Sequence, residues 1–303
     1  MNQRVCRLCL EQRELKTSHI VPKFVFRWLK KTSATGYLRY GKDMQRRAQD
    51  GLKTPLLCGG CEQKFSTWEK QFAETLFPSL SQGRGLRAFD YGPWMTMLAA
   101  SLSWRSLLYL QATGPLKSFP SDKLPLLEQA AEAWRALLCG QGNSISPFAQ
   151  SFIPLGYIES ATVSDLPPNF NRYLGRSVAV DLVTSDTHSF IYTKLPFMVF
   201  AGVIQSNRSE EWANTSLALE GGRFGGGKEI CVPGQILSYM FDCARRMIGL
   251  NKNLSEKQKA LIKDTAIKNL KRVRSSKSVE AMLRDVEFFG VAAFEANDPG
   301  SPM

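Results

Sequence analysis

Histidine is nearly absent: His19 and His188 are the two in a chain of 303 residues. Any chemistry that needs an imidazole near neutral pH falls on one of two positions. Long apolar runs are missing too. The longest, PWMTMLAASLSW at residues 93–104, is followed at once by Arg105 and is shorter than the ~20 residues of a bilayer-spanning helix. No membrane partner is expected. Residues 1–13 are polar and carry cysteine where a secretory leader would be charged, apolar and then small, so the expectation is a soluble cytoplasmic protein. Internal repeats and the aromatic signature of a sequence-specific RNA module are also lacking.

What is present is positive charge, unevenly placed. The net charge is +12, yet residues 1–88 hold 17 Lys and Arg against 7 Asp and Glu, and residues 252–284 hold 10 against 3. The remainder is slightly acidic. Two basic ends around a near-neutral middle raise the local potential and attract polyanions, nucleic acid foremost. A merely solvated basic surface is the competing reading.

At 44% hydrophobic the chain can bury a core, and its length suggests about two domains. Four of the seven cysteines form two pairs, CRLC (Cys6, Cys9) and CGGC (Cys58, Cys61). Each C-x-x-C presents two sulfurs from one tight turn, and two such turns complete the tetrahedral shell of a structural Zn²⁺. Chance pairs or a redox site are the alternatives; a disulfide framework belongs to small secreted chains. Cys139, Cys231 and Cys243 are expected to be buried apolar residues.

Between the pairs lie SHIVPKF and a basic stretch, KFVFRWLKK; after Cys61, EQKFSTWEKQFAETLF has helical spacing, with Phe65, Trp68, Phe72 and Leu76 on one side and Glu62, Ser66 and Glu69 on another. CRLC, SHIVPKF and LLCGGCE together resemble the zinc-containing branch of the HNH (His-Me finger) endonucleases over about residues 4–76. The resemblance implies an N-terminal treble-clef or ββα-metal finger, DNA as partner, Zn²⁺ on Cys6, Cys9, Cys58 and Cys61, and His19 as general base. A second, catalytic cation such as Mg²⁺ or Mn²⁺ would offset charge at the scissile phosphate, and a carboxylate suits it. Glu62 is the first candidate ligand and Glu69 the second.

Three departures from the family pattern stand out. Ser18 occupies the place of an Asp metal ligand, Glu62 that of a final His or Asn, and no Asn precedes LLC, where Gln49 and Asp50 are the nearest polar residues. Gln49 could orient His19 through its amide; an ordinary QDG turn is the other reading. Lys23, Lys30, Lys31, Arg46 and Arg47 are the candidate nucleic-acid contacts. The competing function is a degenerate finger that binds nucleic acid or a protein partner through the same surface.

Beyond residue 88 the pattern is α+β. Residues 93–112 read as a buried helix whose Arg105 needs a partner, a carboxylate or a phosphate; SLSWR, around it, is similar to a recurrent feature of uncharacterised bacterial proteins with such a finger, which names no activity. Residues 123–138 read as a second helix. SFIPLGYIES, SVAVDLVT, SFIYTKL and FMVFAGVIQ read as strands. His188 is expected in a solvated turn. GRFGGGKE lacks the Ser or Thr of a phosphate loop and is read as a glycine-rich loop. Helices are expected at about 234–248 and 255–273, the second with Leu254, Leu261, Ile262, Ala266, Ile267, Leu270 and Val273 on a packing face. The expected organisation is a zinc finger at 1–88 and a mixed domain of helices and antiparallel strands at 89–303.

Overall fold

The first knuckle is framed by a short ribbon, β1 (Arg4–Val5) with β2 (Gln12–Arg13), and the chain runs straight on into β3 (Leu15–His19). Pro22 stops the extended run and opens α1 (Lys23–Lys31), so the basic stretch is a helix. Val25 and Leu29, one helical turn apart, are its buried residues, while Lys23, Arg27 and Lys31 stay exposed. A hairpin follows, β4 (Leu38–Tyr40) with β5 (Asp43–Ala48). Then β6 (Lys53–Cys58) returns antiparallel to β3, pairing Leu15 with Cys58 at one end and His19 with Lys53 at the other. α2 (Gly59–Thr75) grows directly from Cys58, which places Cys61 in its first turn. α3 (Phe77–Leu80) and β7 (Phe89–Tyr91) complete the N-terminal part.

The structure, a computed structural model, describes residues 4–40, 43–48, 50–85, 88–114, 120–163, 165–252 and 254–297. Its class is α+β with small antiparallel sheets. α4 (Pro93–Thr113) and α5 (Leu124–Cys139) precede β8 (Gln150–Pro154), α6 (Phe170–Arg176), β9 (Ala179–Thr184), β10 (His188–Leu195) and β11 (Met198–Ser206). These four strands form an antiparallel sheet in the order β8-β11-β10-β9. Then come β12 (Gly222–Phe224), α7 (Gly234–Lys252), α8 (Glu256–Lys268), α9 (Leu270–Arg274), α10 (Lys277–Phe289) and α11 (Val291–Asn297).

Period-two alternation gives the sheet two apolar faces. Ile191 and Ile204 face α4 and α5, packing with Trp104, Leu107 and Trp134. Phe190, Tyr192 and Val203 face the other way, onto Tyr173 of α6 and Phe241 of α7. Such burial explains why α4 is apolar all round, with even Ser101, Ser103 and Arg105 enclosed. The core ignores the expected boundary at residue 88: Cys6, Leu57, Cys58 and Phe65 share one cluster with Trp104 and Trp134.

Three expectations are corrected. Cys139 and Cys243 are only partly buried and Cys231 is exposed, so none of the three is fully enclosed. His188 is the first residue of β10 and fully buried, with Nε2 3.0 Å from Glu211 Oε2, because the turn around Glu211 folds over the end of the strand. The basic helix near the C-terminus breaks at Asn269 into α8 and α9, and Leu261, Ile267 and Leu270 stay exposed. Only the start of that segment is buried, at Leu254. GRFGGGKE leaves the β12–β7 pair through Gly225, Gly226 and Gly227, all at positive φ, and α7 begins only at Gly234, without the strand-to-helix passage of a phosphate loop.

The two basic ends of the sequence meet in space. Arg272 donates from Nε to the carbonyl of Ser33 at 2.8 Å and from Nη2 to that of Lys30 at 2.7 Å, and the Lys277 amide donates to the Thr32 carbonyl at 2.9 Å. α9 and the start of α10 thereby close off the C-terminal end of α1, taking up the carbonyls of Lys30, Thr32 and Ser33.

Candidate functional site

A turn held by the Cys6 amide to the Glu11 carbonyl brings Cys6 and Cys9 together, and the end of β6 brings Cys58 and Cys61. The four sulfurs lie within 4.8 Å of one another, and Cys9 Sγ and Cys58 Sγ are 3.9 Å apart. Arms of ~2.3 Å around a tetrahedral zinc require S···S edges of roughly 3.8 Å. The cluster could hold a metal ion such as zinc. Burial pushes the Cys6 thiol up, but the amides of Cys58, Cys9 and Leu8 outweigh it and lower it to about 7; the Cys58 amide donates to Cys6 Sγ at 3.3 Å. Burial and the neighbouring sulfurs of Cys58 and Cys6 push Cys61 far the other way. Four crowded thiols resist ionising together, which is the repulsion a dication relieves.

At the opposite end of the β3–β6 pair, neighbouring residues Ser18 and His19 do different work. Ser18 is fully buried and its hydroxyl donates to Glu62 Oε1 of α2. The His19 ring, 20% exposed, meets Asp50 instead, with Nε2 2.9 Å from Oδ2. Asp50 is fixed in turn by the Gly51 amide donating to Oδ1 at 3.0 Å and by Lys53 Nζ 3.5 Å from Oδ2. Burial pushes the Asp50 carboxyl up, but the His19 hydrogen bond, the Gly51 amide and the His19 and Lys53 charges together hold it below its ordinary range. A carboxylate accepts from Nε2–H, so a proton sits on Nε2, and in the neutral ring the lone pair is on Nδ1. The contact fixes the orientation of the ring. Gly51 is needed here, since a Cβ would lie 2.1 Å from the Phe26 ring.

Arg105 ties this corner to α4. It is 2% exposed, and Nη1 donates to the carbonyl of His19 and to Glu69 Oε1, both at 2.8 Å, while Nε donates to the Ser101 carbonyl at 3.1 Å. Its partner is therefore a carboxylate. Glu62 and Glu69 are thus engaged by Ser18 and Arg105, and the side chain on the His19 ring is Asp50. Gln49 lies outside the described residues. Nothing in the sequence joins Asp50 to His19 except a QDG turn at the right distance before β6.

Asp50, Gly51, Leu52 and Lys53 also line a cleft of about 1090 Å³. One wall is α1, β4 and β6; the other is α6, β9 and the helices α7, α8 and α10. Its charged lining is Arg39, Lys53, Arg172 and Arg176 against Asp50. Arg176 donates to the Leu29 carbonyl and to Thr32 Oγ1, both at 2.8 Å; burial lowers it to about 10. Sequence reasoning missed these cleft arginines because they come from distant segments. Of the residues expected to contact nucleic acid, Lys23 and Lys31 are exposed on α1 and Lys30 is half-buried. Arg47 is exposed, its guanidinium over the Tyr37 ring at 3.7 Å. Arg46 lies on β5, its side chain outside the described residues.

No protein-family model, curated protein or solved structure matches the chain. Among the described residues, no helix is long and apolar enough to cross a membrane.

Proposed function

We propose that the chain is a metal-dependent endonuclease of the HNH-like kind, hydrolysing DNA phosphodiester bonds with His19 as general base. One observation carries the reading: the His19 ring is held at 2.9 Å by Asp50, and Asp50 lines a cleft whose other charged residues are cations. Nδ1 takes a proton from the attacking water, the new P–O bond forms, and the bond to the leaving sugar oxygen breaks. Asp50 keeps the ring oriented and stabilises the imidazolium that results.

A divalent ion, Mg²⁺ or Mn²⁺, would offset charge on the phosphate and leaving oxygen when bound. The carboxylates tied to this strand are Asp50, through His19, and Glu62, through Ser18. Among the described residues the four cysteines are the one group of three or more His, Cys, Asp or Glu side chains able to converge on a metal. One or two carboxylates with water and substrate phosphate suit Mg²⁺, which needs no cage made wholly of protein. The four cysteines would hold Zn²⁺ in a structural role.

A second reading, a zinc-stapled module that binds nucleic acid or protein without cleaving, is favoured by Glu62 and Glu69 being taken up by Ser18 and Arg105. Nicking of supercoiled plasmid and of single-stranded circular DNA across Mg²⁺, Mn²⁺ and Ni²⁺ separates the two. Cleavage by the wild type, lost in His19→Ala with zinc content and affinity kept, supports the enzyme. Absence of cleavage under every condition removes it and leaves the binding module.

A further inference from the structure

The middle of the Cys6–Cys9 turn is gripped by a helix far along the chain. The Leu8 carbonyl accepts from Arg135 Nη1 at 3.1 Å and from Cys139 Sγ at 3.2 Å, donors that stand 127 and 131 residues away in sequence. Arg135 and Cys139 are one helical turn apart and share a face of α5. Glu132, a turn before Arg135, holds the same guanidinium, accepting from Nε at 2.8 Å and from Nη2 at 2.6 Å. The Arg135 side chain is 15% exposed and Leu8 is buried, so water competes little for this carbonyl. Packing of α5 has its own apolar residues, since Leu127, Trp134, Leu137 and Leu138 join Leu8, Cys6 and Cys58 in one cluster. The polar grip on Leu8 is additional to it.

The peptide group that supplies this carbonyl also supplies the Cys9 N–H, and in a trans peptide the two point in opposite directions. The Cys9 amide is one of the donors to the Cys6 sulfur, beside those of Cys58 and Leu8. A line of hydrogen bonds therefore runs from Glu132 through Arg135 and the Leu8–Cys9 peptide to a sulfur of the four-cysteine cluster. A cation on the carbonyl polarises the peptide and strengthens its N–H as a donor. Four thiolates around one dication carry excess negative charge, which donors to their sulfurs spread.

We infer that Arg135 is a positioning residue of the metal centre: it turns the Leu8–Cys9 peptide so that the N–H faces Cys6, with Cys139 as a second, weaker donor, and α5 thereby sets how firmly the ion is kept. The inference rests on the proposed zinc occupancy of the four cysteines and goes beyond it by naming a control that lies outside the ligands. Linkage makes the control reciprocal, so the ion also tightens the contact between α5 and the turn.

The test is transfer of zinc from the purified full chain to an excess of a chromogenic chelator, at fixed pH and well below the melting temperature. Arg135→Met keeps the apolar stem and removes every donor; outer partners of metal ligands typically contribute 10–100-fold to affinity, so release should quicken by about 10-fold or more. Arg135→Lys, which can still place one ammonium on the carbonyl, should recover part of that loss. Cys139→Ala should have a smaller effect, because a thiol is a weak donor. Leu127→Ala, a core change on the same helix, should lower the melting temperature and leave the release rate at the wild-type value. In cobalt-loaded protein the thiolate-to-metal absorption band should shift in Arg135→Met and stay in place in Leu127→Ala. If Arg135→Met fails to fold, Arg135→Lys and Cys139→Ala, judged against Leu127→Ala, carry the same comparison. Release at the wild-type rate from folded Arg135 and Cys139 variants, or equal acceleration in Leu127→Ala, would overturn the positioning role while leaving the zinc reading intact. A wild type that retains neither zinc nor cobalt would remove the zinc reading and this inference together.

Discussion

The His19 ring is held by a partner 31 residues away in sequence, and that separation defines what a single side chain can test. Asp50→Asn preserves shape, but an amide can donate to Nε2 and so favour the tautomer whose proton is on Nδ1. The rate of plasmid nicking should then fall by about 10²-fold or more, with melting temperature and zinc content near wild type. A wild-type rate in that variant would remove Asp50 from the orienting role. Arg105 is a different case, since it touches backbone and carboxylate inside the core. Arg105→Ala strands Glu69 and the His19 carbonyl, and breaking a buried pair of this kind costs about 3–5 kcal/mol. Urea unfolding should show that loss; a change below about 1 kcal/mol would mean that the corner is held by packing alone.

At the scale of elements, the clearest lever is the four-cysteine cluster, because it joins β1, β6 and α2 at one point. Metal analysis of reduced protein should find about one Zn²⁺ per chain, and Cys58→Ser with Cys61→Ser should lose it and destabilise the β3–β6 pair. Protein purified without zinc would refute the structural-metal reading. The elements themselves were legible in proportion to how local their signals are. Two C-x-x-C pairs, the apolar run of α4 and the β-branched strands β8 to β11 carry their structure in their own residues. KFVFRWLKK did not, since its helix depends on Pro22 and on the core under Val25 and Leu29. Nor did the fate of His188: strand or turn was decided by Glu211, which reaches it from beyond β11. The candidate site divides the same way. Sequence motifs pointed to His19 and the cysteines, whereas Asp50 as the ring's partner, Glu69 as the partner of Arg105 and the cleft arginines all depend on long-range contacts that no spacing encodes.

For the molecule as a whole, charge sets two responses to solvent. Binding to nucleic acid should weaken steeply as salt rises, because phosphate contacts release counterions. Charge reversal at exposed Lys31 and Arg47 should reduce that slope, whereas salt-independent affinity would contradict a basic binding face. The second response is to pH, through Lys194. It is fully buried in β10, and its ammonium donates to the carbonyls of Leu174 at 2.8 Å, Ser177 at 3.2 Å and Leu195 at 3.3 Å, with the Tyr173 ring 4.9 Å away. Burial lowers it to about 7, against a small opposing pull from Cys243. The unfolded chain holds that proton up to the ordinary lysine range, near 10.4, and the folded chain releases it from about 7 upward. Between those limits the unfolded state binds more protons, so stability rises with pH; below about 7 both states are protonated and the contribution is flat. Buried Tyr192 and half-buried Tyr239, both raised by desolvation, act only above the ordinary tyrosine range and oppose the trend there. Thermal melts at pH 7 and pH 9 should therefore show wild type gaining stability relative to Lys194→Met. The four-cysteine cluster is the same in both chains and cancels in the difference. Parallel melting curves for the two proteins across that interval would show that Lys194 keeps its charge inside the fold, held by the three carbonyls and the tyrosine ring.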